Sequence, residues 1–216
     1  MTTRVLIADD QAIVREGLRV LLDAQPDIEV VATAADGAQA IELAHQHRPD
    51  VCLLDIRMPV LDGLEATRQL AGHDVAEPLA VVILTTFDDD ELVHQALEAG
   101  ARGFLLKDTD TDLLLHAINA AAAGDALIAP NITGRLLSRF ADAARDNTAR
   151  AVSLTDRERD ILAAVARGDT NAEIGQALHL SLSSVKAHVG NLMNKIGARN
   201  RVQIAIWAHQ IGQADD

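Results

Sequence analysis

Three aspartates, a threonine and a lysine each sit at the end of a short apolar run. Asp9 and Asp10 follow RVLIA, Asp55 follows VCLL, Thr85 lies in AVVILTT and Lys107 follows GFLL. A charged side chain in such a place is costly unless it is paired. Three clustered carboxylates repel one another and raise each other's pKa unless a cation sits among them. Hard oxygen donors of this kind suit Mg²⁺, which takes octahedral oxygen ligands and bridges carboxylate to phosphate. A carboxylate held against that ion can accept a phosphoryl group as an acyl phosphate. Catalysis of such a transfer is mostly charge neutralisation and positioning, for which Lys107 and the Thr85 hydroxyl supply donors. Taken singly, each residue has an ordinary explanation, since an aspartate after a strand often caps a helix and Lys107 alone would be a surface charge. The coincidence of all five is what points to a site.

The elements that must bring them together are legible in the first 125 residues. RVLIADD, IEVVATAA, VCLLD, AVVILTT and GFLLK are short runs rich in Val, Ile and Leu, as expected of strands covered on both faces. Amphipathic segments of helical length separate them, at 11–24, 37–47, 62–71, 89–99 and 110–123. In the first of these, Ile13, Val14, Leu18, Leu21 and Leu22 recur at helical spacing. The alternation predicts an α/β domain, a (βα)5 doubly wound parallel sheet. All five polar residues then fall at the carboxyl ends of strands, the edge where such sheets form their sites.

The strand-end DD, DIRMPVLDG, LTT and GFLLKD together resemble the receiver domain of bacterial response regulators, over residues 4–124. The resemblance implies a flavodoxin-like strand order 2-1-3-4-5. It implies phosphorylation of Asp55 by a sensor histidine kinase. Mg²⁺ would be held by Asp10, Asp55 and the main-chain carbonyl of Arg57, with Asp9 helping through water. Thr85 and Lys107 would bind the phosphoryl group, and Phe104 would occupy an aromatic switch position where some receivers carry Tyr. Phosphatases that pass through an aspartyl phosphate need a second Asp two residues on as general acid. Arg57 stands there instead, so no enzymatic turnover is expected beyond the chain's own phosphorylation and dephosphorylation.

Beyond residue 125 the pattern changes. Residues 126–150 contain Pro130, Gly134, a small apolar patch (Leu136, Leu137, Phe140) and a polar stretch, and read as a short helix plus linker. From 151 to 216 the chain is helical, with TDRE (155–158) and TNAE (170–173) matching the capping-box pattern. Ser181 precedes a third helix and Asn200 a fourth. In the third, Val185, Val189, Leu192, Met193 and Ile196 share one arc, while Lys186, Ala187, Gly190, Asn191 and Asn194 share the opposite one. That outward arc carries no acid, and Gly190 in mid-helix costs about 1 kcal/mol relative to Ala. Lys186, Lys195, Arg199 and Arg201 form a basic stripe free of Asp and Glu, suited to DNA phosphates.

This block resembles the LuxR-type helix-turn-helix, and with the receiver it gives the NarL/FixJ arrangement. The resemblance implies that the third helix enters the major groove of double-stranded DNA. Lys186, Ala187 and Gly190 would lie nearest base edges, with Ser183, Ser184, His188, Asn191, Asn194, Lys195 and Arg201 around them. The last helix, rich in apolar residues from Val202 to Ala208, would serve homodimerisation on inverted or direct half-sites.

Charge divides the chain in the same way. Residues 1–127 hold 8 Lys and Arg against 23 Asp and Glu, whereas residues 153–216 hold 7 of each, so the acidity belongs to the first part alone. The single cysteine, Cys52, lies inside an apolar run and reads as a packed thiol, which excludes a disulfide framework. No run approaches the roughly 18 apolar residues that span a membrane. A cytoplasmic protein without membrane contact is the expectation.

Overall fold

A computed structural model describes residues 2–86, 90–125, 127–128, 153–198 and 200–211. The chain divides into two compact units, Met1–Ala129 and Pro130–Asp216.

In the first unit, strands β1 (Thr3–Ala8), β2 (Ile28–Ala34), β3 (Val51–Leu54), β4 (Ala80–Thr85) and β5 (Gly103–Leu106) alternate with helices α1 (Ala12–Asp23), α2 (Gly37–His47), α3 (Gly63–Ala71), α4 (Asp90–Ala99) and α5 (Thr111–Ala123). All described strand pairs are parallel and the order is β2-β1-β3-β4-β5-β6, where β6 is the two-residue strand Leu127–Ile128. The five expected strands and their order are therefore present, and one more is added. β6 falls in what the composition reads as linker, so the sheet runs past residue 125. The short helix expected further along that segment lies outside the described residues.

Strands β3 and β4 are buried along their whole length, as apolar strands covered on both faces must be. Cys52 is among those core residues, and burial pushes its thiol up to about 12, so it is inert packing. Aspartates set the starts of three helices: Asp36, Asp62 and Asp110 each accept the backbone N–H three residues on, at 2.8 Å. Helix α1 departs from the simple amphipathic expectation. Leu22 is fully buried, but Ile13 is 84% exposed and Val20 is 59% exposed.

The second unit contains α6 (Asp156–Ala166), α7 (Asn171–Leu178), α8 (Leu182–Ile196) and α9 (Arg201–Gln210). Both predicted capping boxes form, with Thr155 paired to Glu158 and Thr170 to Glu173. Ser181 caps α8 through Ser184 N–H at 3.1 Å, and Asn200 accepts the Gln203 N–H at 3.0 Å. The core gathers Leu154, Ile161, Leu162, Val165, Ile174, Val185, Val189, Leu192 and Ile204, with Met193, Ile196 and Trp207 packed against it. The predicted inward arc of α8 is thus the one that is buried.

Candidate functional site: an acidic pocket and a reading helix

Register brings the polar residues of the first unit together. β1 and β3 pair with Ala8 opposite Leu54, and the Asp55 N–H donates to the Ala8 carbonyl at 2.8 Å. Asp9 and Asp55, each following a paired strand end, become neighbours. On the other side Thr85 pairs with Leu106, and the Lys107 N–H donates to the Thr85 carbonyl at 2.8 Å, which aligns Lys107 with the same edge.

The Lys107 ammonium bridges the two buried carboxylates, at 2.6 Å from Asp9 Oδ2 and 2.8 Å from Asp55 Oδ2. Burial pulls the lysine pKa down, but the hydrogen bonds and charges of Asp55 and Asp9 outweigh it, and the net shift is upward. Asp9 is held at its other oxygen by the Gln11 N–H at 2.9 Å, and its carbonyl accepts from Arg15 Nη1 at 2.6 Å. Oxygens of Asp9, Asp10 and Asp55 lie within 4.8 Å of one another, with Asp10 exposed and the other two buried. Against three carboxylates stands one ammonium, which leaves a deficit that a divalent cation would balance. Asp55 Oδ1 is buried and makes no hydrogen bond. Such an atom carries a desolvation penalty of about 1–3 kcal/mol.

The loop after Asp55 is held rigidly. Gly63 N–H donates to the Ile56 carbonyl at 2.9 Å, and Gly37 N–H donates to the Leu61 carbonyl at 3.0 Å. A Cβ on Gly63 would lie 1.9 Å from the Asp55 carbonyl oxygen, so only glycine fits. Leu61 N–H closes back on the Pro59 carbonyl at 2.7 Å, with Val60 between them at φ 63°. A β-branched residue in that region costs of order 1–3 kcal/mol, and nothing in the sequence pattern announces it. Arg57 is exposed in this loop, beside a cavity of about 490 Å³ lined also by Ile56, Met58, Leu64 and Leu92. Thr85 and Phe104 are both fully buried, Thr85 at the carboxyl end of β4 and Phe104 within β5 opposite Ile83.

In the second unit, α7 and α8 are joined by a tight turn through His179 at φ 55°. The Leu180 N–H donates to the Gly175 carbonyl at 2.8 Å, and a Cβ on Gly175 would lie 2.9 Å from the Leu180 carbonyl oxygen. This is a helix-turn-helix with α8 as its second helix.

A family model for the response regulator receiver domain matches residues 5–119, and one for bacterial regulatory proteins of the luxR family matches residues 152–208. The chain is a response regulator of the LuxR family. It is 40% identical over 207 residues to the transcriptional regulatory protein LiaR of Bacillus subtilis, covering 96% of this chain and 97% of LiaR. It is 36% identical over 210 residues to the response regulator protein VraR of Staphylococcus aureus, covering 97% and 98%. The crystal structure of the response regulator ChrA, of a heme-sensing two-component system, aligns with a TM-score of 0.54 and 35% identity over 98% of each chain. A response regulator of this kind is a DNA-binding transcription regulator and not an enzyme in the usual sense.

Within this response regulator the outward arc of α8 is open: Ser183, Lys186, Ala187, Asn191 and Asn194 are exposed, and Ser184, His188 and Gly190 are half-buried. Two cations of the expected basic stripe are placed otherwise. Arg201 is a correction. It is only 8% exposed, its guanidinium donates to Asn171 Oδ1 at 3.0 Å and to the Asp169 carbonyl, and it ties α9 to the start of α7. Two of its donors are held on protein acceptors, so this guanidinium serves as a cross-link within the second unit and does not lie on the exposed stripe. Lys195 donates to Glu158 Oε2 at 2.7 Å, closing α8 onto the capping box of α6. Arg199 lies outside the described residues. Among the described residues, no helix is long and apolar enough to cross a membrane.

Proposed function

We propose that this chain accepts a phosphoryl group on Asp55 from a sensor histidine kinase, and that the modification switches homodimerisation and DNA binding. The observation that carries the reading is the pair of Asp55 oxygens: Oδ2 anchored to Lys107 at 2.8 Å, Oδ1 buried and unpaired. An unpaired carboxylate oxygen is a nucleophile without a competing donor. In the transfer, the phosphorus–nitrogen bond of a phosphohistidine breaks as a bond from Asp55 to phosphorus forms, and the departing imidazole keeps the electron pair and takes up a proton. Asp9, Asp10 and Asp55, with the Arg57 main-chain carbonyl, would hold Mg²⁺. The donor set fits that ion, being all oxygen and short of positive charge. When bound, Mg²⁺ would neutralise charge on the phosphoryl oxygens. Lys107 and Thr85 would bind those oxygens, and Phe104, within β5, would follow the change.

Domain roles follow. Residues 1–125, with the short strand beyond them, act as the receiver, 126–150 as linker, and 151–216 as the reader of double-stranded DNA. Ser183, Lys186, Ala187, His188, Gly190, Asn191 and Asn194 face the groove, with Ser184 at its edge. Both partners, kinase and DNA, place the work in the cytoplasm.

The test has two arms. With acetyl phosphate and Mg²⁺, the parent chain incorporates phosphate and Asp55→Asn does not; equal incorporation by the variant would remove Asp55 from its role. DNA selection with beryllofluoride-treated and untreated protein then reads out the site, its symmetry and its dependence on the pocket.

A further inference from the structure

We propose that Leu182, at the start of α8, reads the 5-methyl group of a thymine in the major groove and so adds an apolar position to the sequence this chain selects. The inference rests on the reading of α8 as the helix that contacts DNA. Leu182 is the first residue of α8 and is 49% exposed. Leu178 and Leu180, on either side of the turning residue His179, pack against the core of the second unit, and Leu182 does not join them in burial. Among the described residues four large hydrophobic side chains are exposed, and Leu182 is the one that belongs to the second unit.

The helix start itself does not call for a leucine. Ser181 supplies the cap, its Oγ accepting the Ser184 N–H at 3.1 Å. The first turn of a helix favours acidic side chains, which complement the positive end of the helix dipole. Helices α6 and α7 follow that rule, with Asp156 and Glu158 in one and Glu173 in the other, whereas the first turn of α8 has no acid. Leu182, Ser183 and Ser184 stand there instead. An acid at this place would be repelled by the phosphates that flank the groove, so the composition of the turn fits a helix start set down on DNA.

The chemistry of the groove names the ligand. Base edges in the major groove offer hydrogen-bond donors and acceptors, and the one apolar group among them is the thymine methyl. A leucine side chain has no polar atom to give to the others. In a helix-turn-helix the first residues of the second helix lie against base edges. At 100° per residue, Leu182 lies about 40° from Lys186, one turn away on the same side of the helix. It therefore flanks the outward arc at the edge where Lys186 stands, and the exposed remainder of α8 is polar or small. Four residues rise about 6 Å along the axis, or about two base steps. The thymine then lies within about two base pairs of the position that Lys186 faces.

The test starts from a duplex selected by the full chain treated with beryllofluoride. Each thymine in it is replaced in turn by deoxyuridine, a change that removes the methyl group alone. Affinities of the parent and of Leu182→Ala are then measured on every duplex at one salt concentration. For the parent, one replacement per half-site should weaken binding about three- to fivefold, the loss expected when one methyl group leaves an apolar contact. Leu182→Ala should bind the unmodified duplex more weakly by a similar factor and should not distinguish thymine from uracil at that position. Its melting temperature should match the parent's, and the parent's own response does not depend on how the variant folds. A parent indifferent to every replacement overturns the inference and leaves DNA binding standing. A variant that keeps the parent's sensitivity also overturns it, and moves the methyl contact to Ala187 on the outward arc. A chain that selects no duplex in any condition overturns the reading of α8 and the inference together.

Discussion

The acidic pocket and the α8 face solve opposite problems. In the pocket, each group is fixed by strand register: Asp9, Asp55, Thr85 and Lys107 are aligned by ladder hydrogen bonds, and all but the lysine are buried. On α8 the functional face is open, built on a buried arc of Val185, Val189 and Leu192, and is defined as much by what is missing as by what is present. A buried site is costly to maintain and intolerant of change, because every polar atom left unpaired is penalised. An exposed face can change its residues at little cost to the fold. The difference predicts that substitutions in the pocket lose stability and function together, whereas on α8 the two separate.

Gly63→Ala is the strongest way to break the pocket side of that contrast. With a Cβ 1.9 Å from the Asp55 carbonyl oxygen, the loop must move. We expect a loss of about 3–5 kcal/mol, at the upper end for single substitutions, with phosphoryl acceptance abolished in the same variant. Denaturant unfolding and acetyl phosphate labelling measure the two effects. Retention of either would show that the loop is not rigid.

Lys107→Ala is next. It leaves Asp9 and Asp55 facing each other without their ammonium, and breaking a buried pair in this way costs about 3 kcal/mol. The loss depends on metal. The variant's melting temperature should rise more steeply with Mg²⁺ than the parent's, because the ion replaces the missing charge. Equal Mg²⁺ responses would argue that the three carboxylates do not form the ion site.

On α8 the separation of stability from function is sharpest at Gly190. A Cβ there would meet nothing within 4 Å. Gly190→Ala should therefore stabilise the fold by about 0.5–1 kcal/mol while weakening DNA binding, since the added methyl group occupies space on the groove-facing arc. Thermal unfolding and a DNA titration at fixed salt decide this. A variant that is more stable and binds as well as the parent would show that the gap serves no approach.

The same contrast explains what could be read in advance. The pocket was legible because its five residues end apolar runs, and a parallel sheet brings such ends to one edge. The inward arc of α8 and the two capping boxes were legible because helical periodicity and cap chemistry are local. What escaped depends on partners far along the chain. Arg201 looked like part of a basic stripe, but its acceptors are Asn171 and the Asp169 carbonyl, some thirty residues upstream. Strand β6 is two residues long, too short for any period to register. The exposure of Ile13 was hidden because it shares helical spacing with Val14, Leu18, Leu21 and Leu22, which periodicity alone does not separate from the core-facing residues. The left-handed Val60 violates its own residue preference and is enforced by the loop around it.

The smallest effect rests on one bond of the second unit that bears on both its stability and its DNA contact. Glu158 accepts from Lys195 at 2.7 Å and from the Thr155 N–H at 2.7 Å, and the Lys195 hydrogen bond, followed by the Thr155 N–H, lowers its pKa from 4.5 to about 2. A carboxyl with a depressed folded-state pKa contributes stability that is present above 4.5 and lost as pH falls from there toward 2. The second unit should melt at progressively lower temperature across that window. Glu158→Gln, which keeps an acceptor but not the charge, should show a weaker dependence there and approach the parent near pH 2. The same substitution frees the Lys195 ammonium, which the parent keeps on protein rather than on phosphate. If α8 lies in the groove, Glu158→Gln should steepen the dependence of DNA affinity on salt by up to about one counterion per reading helix. The variant would then be less stable at neutral pH and more strongly attracted to DNA. A slope unchanged in the variant would place Lys195 away from the phosphates, and its bond to Glu158 would then serve the fold alone.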